Sequence, residues 1–363
     1  MSTPVQLLTP DGARVEHPDY RYDGGLAEVA ALYRDMVLVR RIDTEAFALQ
    51  RHGELGLWPP ALGQEAAQVG SARALRPQDY AFPTYREHGV AWCRGVDPIG
   101  LFGIYRGVEL GGGWDPADHN LALTQIIIGA QALHATGYAM GLMFDHAVAS
   151  GDPDRDAAVI SYFGDGATSQ GDVNEALDWA TVHQAPVVFF CQNNQYAISV
   201  PLARQIAVPV AQRADGFGLP GVRVDGNDVM AVHAVTQKAL QRARDGEGPT
   251  LIEAVTYRMG AHTTSDDPTR YRDAAEVEQW RAKDPIDRLR KYLEQNGQPL
   301  SFFQDLDAEA EALGERLRRE CAALAEPDLA DLFDQVLVDT PPELEQQRAE
   351  YVEWRDALEG SPA

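Results

Sequence analysis

The sequence predicts an α/β protein: a mainly parallel sheet with helices on both faces. Three observations carry that reading. Within YFGDGATSQGDVNEALDWATVHQAPVVFFCQNNQYAIS, residues 162–199, an apolar pair runs into Gly164-Asp165-Gly166, and the run from Val187 to Cys191 ends at Gln192-Asn193-Asn194. Both runs read as buried strands, each stopping at a polar cluster, with one helix's length of chain between them. Strand-like and helix-like stretches alternate along much of the remaining chain, as a parallel sheet covered on both sides requires. Finally, 363 residues with 45% hydrophobic content suffice for one large α/β domain or two smaller ones.

The elements follow in chain order. Residues 1–25, rich in Pro, Asp and Gly, read as an extended arm. From Leu26 to about Gln50, Val29, Leu32, Tyr33, Met36, Val39 and Ile42 recur at helical spacing. LGQEAAQVGSARAL (62–75) reads as a second helix and Asp79–Pro83 as a short strand. A glycine-rich loop, 107–120, precedes an apolar helix expected over 126–144, in which His134 is expected to be packed. GVRVDGND is a strand running into a turn, 228–244 a helix, and PTLIEAVTYRMG a strand followed by the polar loop AHTTSDDPTRYRD, expected to be mobile. The rest is mostly helical. The expected division is an arm (1–25), one α/β domain (26–300) and a helical extension (301–363) packed on that domain or on another subunit.

Composition excludes several classes of function. A net charge of −24 argues against general nucleic-acid binding. Much of the acid lies late, in AEAEALGERLRRE and ELEQQRAEYVEWRDALEG, as solvated helix faces or as a docking surface for a basic partner. Cys93, Cys191 and Cys321 form neither a disulfide framework nor a CxxC pair, which suits a reducing, cytoplasmic setting. No apolar run approaches the roughly 20 residues that cross a bilayer, so no membrane association is expected. GDGATSQG is not GxGxxG, and GxxxxGK[ST] does not occur, so dinucleotide and P-loop sites are disfavoured.

The two strand ends carry chemistry of their own. Ligands of parallel sheets collect where carboxyl ends of strands meet helix N-termini. Glycines 164 and 166 let backbone approach a ligand, and the next helix, expected from about Asp172, offers its positive end to phosphate. Asp165 and Asn194 supply hard oxygens. One carboxylate, one amide oxygen and a backbone carbonyl are too few for a free-standing metal cage, but they suit Mg²⁺ completed by a diphosphate.

Gly-Asp-Gly, then residues 167–192, then Asn193-Asn194 resembles the thiamine diphosphate fingerprint. GELGLWPPALGQEAAQVG, FPTYREHG, IIIGAQALHATG, VRVDGNDV and LIEAVTYRMGAHTTSDDPTRYR extend the resemblance over about residues 26–350. The chain resembles the α subunits of the decarboxylating component of 2-oxo acid dehydrogenase complexes, the branched-chain members most. The resemblance implies a thiamine diphosphate-binding fold and cofactors thiamine diphosphate and Mg²⁺. It implies Mg²⁺ binding by Asp165 and Asn194 side chains and the Tyr196 carbonyl. It implies that Gly164, Gly166 and Ala167 line the diphosphate, with Tyr85 and Arg86 contacting it. Ile126 and Ile128 would pack by the aminopyrimidine. His262, which as a lone loop histidine would be read as solvated, would reach the cofactor and substrate as a catalytic residue.

Departures from the family pattern matter too. Gln192 stands where relatives can carry Arg, so that charge must come from elsewhere. Thr263 and Asp273 occupy the positions that a dedicated kinase phosphorylates in animal branched-chain enzymes, which argues against such control here. Apolar residues such as Ile127 replace potassium ligands. The chain has no room for a pyrimidine-binding domain, so the resemblance implies a β subunit in a two-α two-β heterotetramer, with the acyl group of a small 2-oxo acid passing to a lipoyl acyltransferase core. A pyruvate-specific enzyme and a non-catalytic subunit of the same fold are the alternatives.

Overall fold

Five strands, all parallel, make the central sheet: β1 (Tyr80–Phe82), β2 (Val159–Gly164), β3 (Val187–Asn193), β6 (Gly221–Asp225) and β7 (Thr250–Val255), in the order β1-β2-β3-β7-β6. The short strands β4 (Tyr196–Ala197) and β5 (Val200–Pro201) form a separate antiparallel ribbon just after β3. The computed structural model describes residues 3–109, 111–335 and 337–359. Residues 1–2 of the expected arm, residue 110 of the glycine-rich loop and residues 360–363 lie outside the described residues.

Alternation along the strands explains why both faces are covered. Ile160, Tyr162, Val188, Phe190 and Ile252 point to one side, into a core shared with α1 (Leu26–Arg51), α2 (Glu65–Arg73) and α9 (Val229–Arg244). Val159, Phe163, Val187, Phe189, Cys191 and Leu251 point to the other, against α6 (Ala130–Phe144), α7 (Gly171–His183) and α8 (Val210–Phe217). The remaining helices are α3 (His88–Cys93), α4 (Pro98–Arg106), α5 (Pro116–His119), α10 (Ala274–Arg281), α11 (Pro285–Gln295), α12 (Leu300–Ala322) and α13 (Pro342–Glu359). Phe303, Leu306 and Leu317 of α12 join the same core as α1. No helix among the described residues is long and apolar enough to cross a membrane.

The arm is fastened down rather than loose. Val5 pairs with Val224 at the sheet edge, its N–H donating to Arg223 O (2.8 Å) and its carbonyl accepting from Asp225 N (2.9 Å). Asp228, the N-cap of α9, accepts the N–H groups of Leu7 (2.7 Å) and Leu8 as well as those of Met230 and Ala231.

Four expectations need correction. The helix expected from Ile126 begins only at Ala130, because Gly129 at its N-cap takes φ +96°, a conformation that stops a helix from running back into the isoleucines. His134 is exposed rather than packed. The helix expected over 62–75 is shorter, since Gly63 at φ +95° lies just before it. The loop after β7 is tied at several points: Thr264 N–H donates to Trp58 O (2.9 Å), Trp58 N–H to Thr264 Oγ1 (3.0 Å), and Arg272 to the carbonyls of Arg258, Met259 (2.9 Å) and Gly260 (3.0 Å).

Candidate functional site

Register brings the two polar clusters together. β2 and β3 run parallel with Gly164 opposite Gln192, so Asp165 and Asn194 emerge from neighbouring strands at the same, carboxyl, end of the sheet. The chain after Gly164 turns at once into a 3-10 turn, Asp165–Ser169, before α7 starts at Gly171, one residue ahead of the expected Asp172. A cavity of about 260 Å³ opens there. Its walls include Tyr85, Arg86, Ile128, Gly164, Asp165, Gly166, Ala167, Asn194, Tyr196 and His262, all expected from the sequence. Ile126 is not on the wall; its side chain is 65% exposed outside it.

Asp165 is buried, and its two oxygens differ. Oδ2 accepts from Gln205 Nε2 (2.9 Å), whereas Oδ1 is buried with no hydrogen-bond partner. Burial pushes its carboxyl up to about 6, against the pull of the Gln205 amide and the Arg258 charge. A carboxylate held so, with one oxygen unused, is a ready ligand for a cation. Among the described residues, no group of three or more His, Cys, Asp or Glu comes together that could hold a metal by itself.

Two cations face this cavity. Arg86 Nη1 is held by Pro60 O (2.7 Å), and its Nη2 lies on His262 O (2.9 Å) and Nδ1 (3.0 Å). A guanidinium has only donors, so His262 Nδ1 must accept and the imidazole proton sits on Nε2. Burial, then the Arg86 and Arg258 charges, push the His262 imidazole down to about 4, so the ring is neutral near pH 7. Arg258 donates to Tyr196 O (3.2 Å), Ile198 O (2.6 Å) and the Tyr271 hydroxyl (3.1 Å).

Several wall residues were not singled out from the sequence. Arg258 lies in the quoted segment LIEAVTYRMG but reads there as an ordinary strand end. Gln64, at the start of α2, reaches Asn194 across the sheet end, its Oε1 accepting from Asn194 Nδ2 (3.0 Å). Glu87, two residues beyond the expected Tyr85, is buried and accepts from Gln192 Nε2 (2.6 Å). Gln205, just beyond the β4–β5 ribbon and off the wall, supports Asp165 from outside the cavity and had no local signal at all.

Comparison with known proteins gives a consistent answer. Residues 33–305 match the family described as "Dehydrogenase E1 component". The chain is 46% identical over 350 residues to "3-methyl-2-oxobutanoate dehydrogenase subunit alpha" of Mycobacterium tuberculosis, covering 95% of this chain and 92% of that one. It is 39% identical over 358 residues to "Pyruvate dehydrogenase E1 component subunit alpha" of Staphylococcus epidermidis, covering 96% and 92%. The same-named subunit of Staphylococcus aureus is 38% identical over 358 residues, with the same coverage. With most of its length matched in this way, the chain belongs to the dehydrogenase E1 component family.

Proposed function

We propose that this chain is the α subunit of a branched-chain 2-oxo acid dehydrogenase and holds the Mg²⁺–diphosphate end of thiamine diphosphate. The single observation that carries the site is the buried, unpaired Oδ1 of Asp165 beside Asn194, at adjacent strand ends.

The donor set fits the group. Asp165 Oδ1, Asn194 Oδ1 and the Tyr196 carbonyl are hard oxygens, and the carbonyl keeps a lone pair after accepting from Arg258. At Gly166 a Cβ would lie 2.6 Å from Ala197 Cβ, so only glycine lets the backbone pass so close to the ribbon. Arg86 and Arg258 offset diphosphate charge where Gln192 supplies none. Gly164, Ala167 and Tyr85 complete the cradle, and Ile128 gives it an apolar side.

Bound there, the cofactor supplies a nucleophilic carbon for the 2-oxo group and an electron sink for loss of CO₂. His262, neutral and protonated at Nε2, is placed to donate a hydrogen bond to a bound anion or to hand on a proton. The two carboxylates of the cavity are already committed: Asp165 to the cation, Glu87 to Thr84 N–H and Gln192. Activation of the cofactor's head therefore falls to a β subunit, in a two-α two-β assembly that delivers the acyl group to a lipoyl domain of an acyltransferase core. The apolar rim formed by Ile126, Ile127 (70% exposed) and Ile198 (57% exposed) supports an interface at the cavity mouth.

The higher identity to the 3-methyl-2-oxobutanoate relative favours a branched substrate over pyruvate. The distinction is small chemically: a methylene or two in an apolar pocket is worth roughly 1–3 kcal/mol. The test is co-expression with the β subunit and measurement of decarboxylation of 3-methyl-2-oxobutanoate against pyruvate, with and without thiamine diphosphate. Preference for pyruvate would overturn the branched-chain assignment. Activity indifferent to the cofactor would overturn the whole reading.

A further inference from the structure

Gln64 stands outside the residues that the family resemblance assigns to the cofactor, yet its surroundings are built around one task. Its side chain is fully buried on the cavity wall. Its backbone is fixed from both sides. Leu62 O accepts from Met259 N (3.0 Å), Gly63 O accepts from Thr256 Oγ1 (2.9 Å), and Gln64 N–H donates to Ala61 O (2.9 Å). Gly63 lies so near Tyr257 that a Cβ there would meet its carbonyl oxygen at 2.5 Å. The start of α2 is thus bolted to the chain leaving β7, and Gln64 has little freedom to wander.

From that mount Gln64 Oε1 accepts the Asn194 Nδ2–H (3.0 Å), while Asn194 Oδ1 accepts from Tyr196 N–H (3.3 Å). The two contacts together fix which way the Asn194 amide faces. Exchange of its oxygen and nitrogen would set an NH₂ against the Tyr196 N–H, a repulsion in a buried site, and would turn the oxygen toward Gln64 and away from the cation. Only the present orientation leaves an oxygen free to take a cation on its second lone pair. The same pairing commits the other end of Gln64: Nε2 is buried and has no acceptor. A buried donor left without an acceptor is unfavourable unless a guest satisfies it.

We propose that Gln64 is a positioning residue of the metal–diphosphate site, holding Asn194 Oδ1 toward the cation and offering Nε2–H to a diphosphate oxygen. This rests on the reading of the cavity given above. It adds a residue that acts on the metal through Asn194 and on the anion directly.

The experiment uses the chain assembled with its β subunit. Mg²⁺ is titrated at saturating thiamine diphosphate, and thiamine diphosphate at saturating Mg²⁺, following binding by calorimetry rather than turnover. Gln64→Met, close in shape, removes both contacts; its Mg²⁺ half-saturation rises about 10- to 100-fold, as when other supporting partners of metal ligands are lost. Gln64→Glu keeps an acceptor for Asn194 and loses the donor. It recovers most of the Mg²⁺ affinity while thiamine diphosphate binding stays weakened by about tenfold. Where Gln64→Met does not assemble, Gln64→Asn, polar but too short to reach, gives the same loss for Mg²⁺. Unchanged Mg²⁺ affinity in Gln64→Met, or in Gln64→Asn used in its place, overturns the proposal, as does Gln64→Glu as weak for Mg²⁺ as Gln64→Met. Failure of the wild-type assembly to bind thiamine diphosphate with Mg²⁺ would instead overturn the reading of the cavity itself.

Discussion

Gln192 gives its Nε2–H to Glu87 Oε1 at 2.6 Å, with both side chains shut away from solvent. Burial pushes the Glu87 carboxyl up, and the Thr84 N–H and Gln192 amide pull it back. Gln192→Leu strips one of those donors from a buried acid and is expected to lower stability to urea by about 1–3 kcal/mol. Gln192→Arg sets a cation on the same acid and should cost less than the leucine does. No loss in Gln192→Leu would show that the pair does nothing for the fold, and a loss in Gln192→Arg as large as in Gln192→Leu would show that a cation there cannot replace the amide.

Asp165 separates stability from binding. Its carboxyl titrates near 6 in the folded protein against 3.8 ordinarily, so ionised Asp165 opposes folding at neutral pH by up to roughly 3 kcal/mol. Asp165→Asn removes that charge at nearly constant shape. The metal-free variant is expected to melt no lower than the wild type, yet to lose the rise in melting temperature that Mg²⁺ and thiamine diphosphate give together. A lower melting point without ligand, or an intact ligand-induced rise, would count against Asp165 as the cation's carboxylate.

What the sequence made legible was whatever depends on local pattern. The strands β2 and β3 announced themselves as apolar runs, and Asp165 and Asn194 were visible because each follows such a run directly. Gln64 and Arg258 were not legible, because their roles depend on how α2 docks against the chain after β7, a contact between segments far apart in sequence. Gln205 is a plainer case: a polar residue in a loop, given meaning only by the bend that carries it to Asp165. The start of α6 was misjudged for a different reason. Three isoleucines promise burial by hydrophobicity alone, but Gly129 ends the helix before them and leaves them on the rim.

Asp228 tests the fastening of the arm. One carboxylate accepts four backbone N–H groups, two from the start of α9 and two from Leu7 and Leu8. Asp228→Ala removes a helix cap worth about 1 kcal/mol and orphans buried donors at about 1–3 kcal/mol. The expected loss in urea unfolding is therefore about 2–4 kcal/mol, with residues 5–8 becoming open to hydrogen exchange and proteolysis. Protection of the arm unchanged in the variant would show that the Val5–Val224 pairing holds it unaided.

His88 gives the fold a specific response to acid. Its ring stacks on Trp58 at 4.0 Å, its Nε2–H meets Pro59 O (3.0 Å), and burial pushes the imidazole down to about 3 from an ordinary 6.5. Between those values the unfolded chain takes up a proton that the folded one refuses, so stability falls as pH drops through that window. One such proton contributes a slope of about 1.4 kcal/mol per pH unit. Asp43, Asp165 and Asp228, each near 6 when folded, act in the opposite sense below pH 6, since the folded state then binds the extra proton. They remain in His88→Gln, which keeps a donor for Pro59 and removes only the imidazole. In urea unfolding from pH 6.5 down to 4, the stability of the variant relative to the wild type should rise as pH falls, by about 1.4 kcal/mol per unit. Parallel profiles for the two proteins would mean that His88 gains its proton without unfolding.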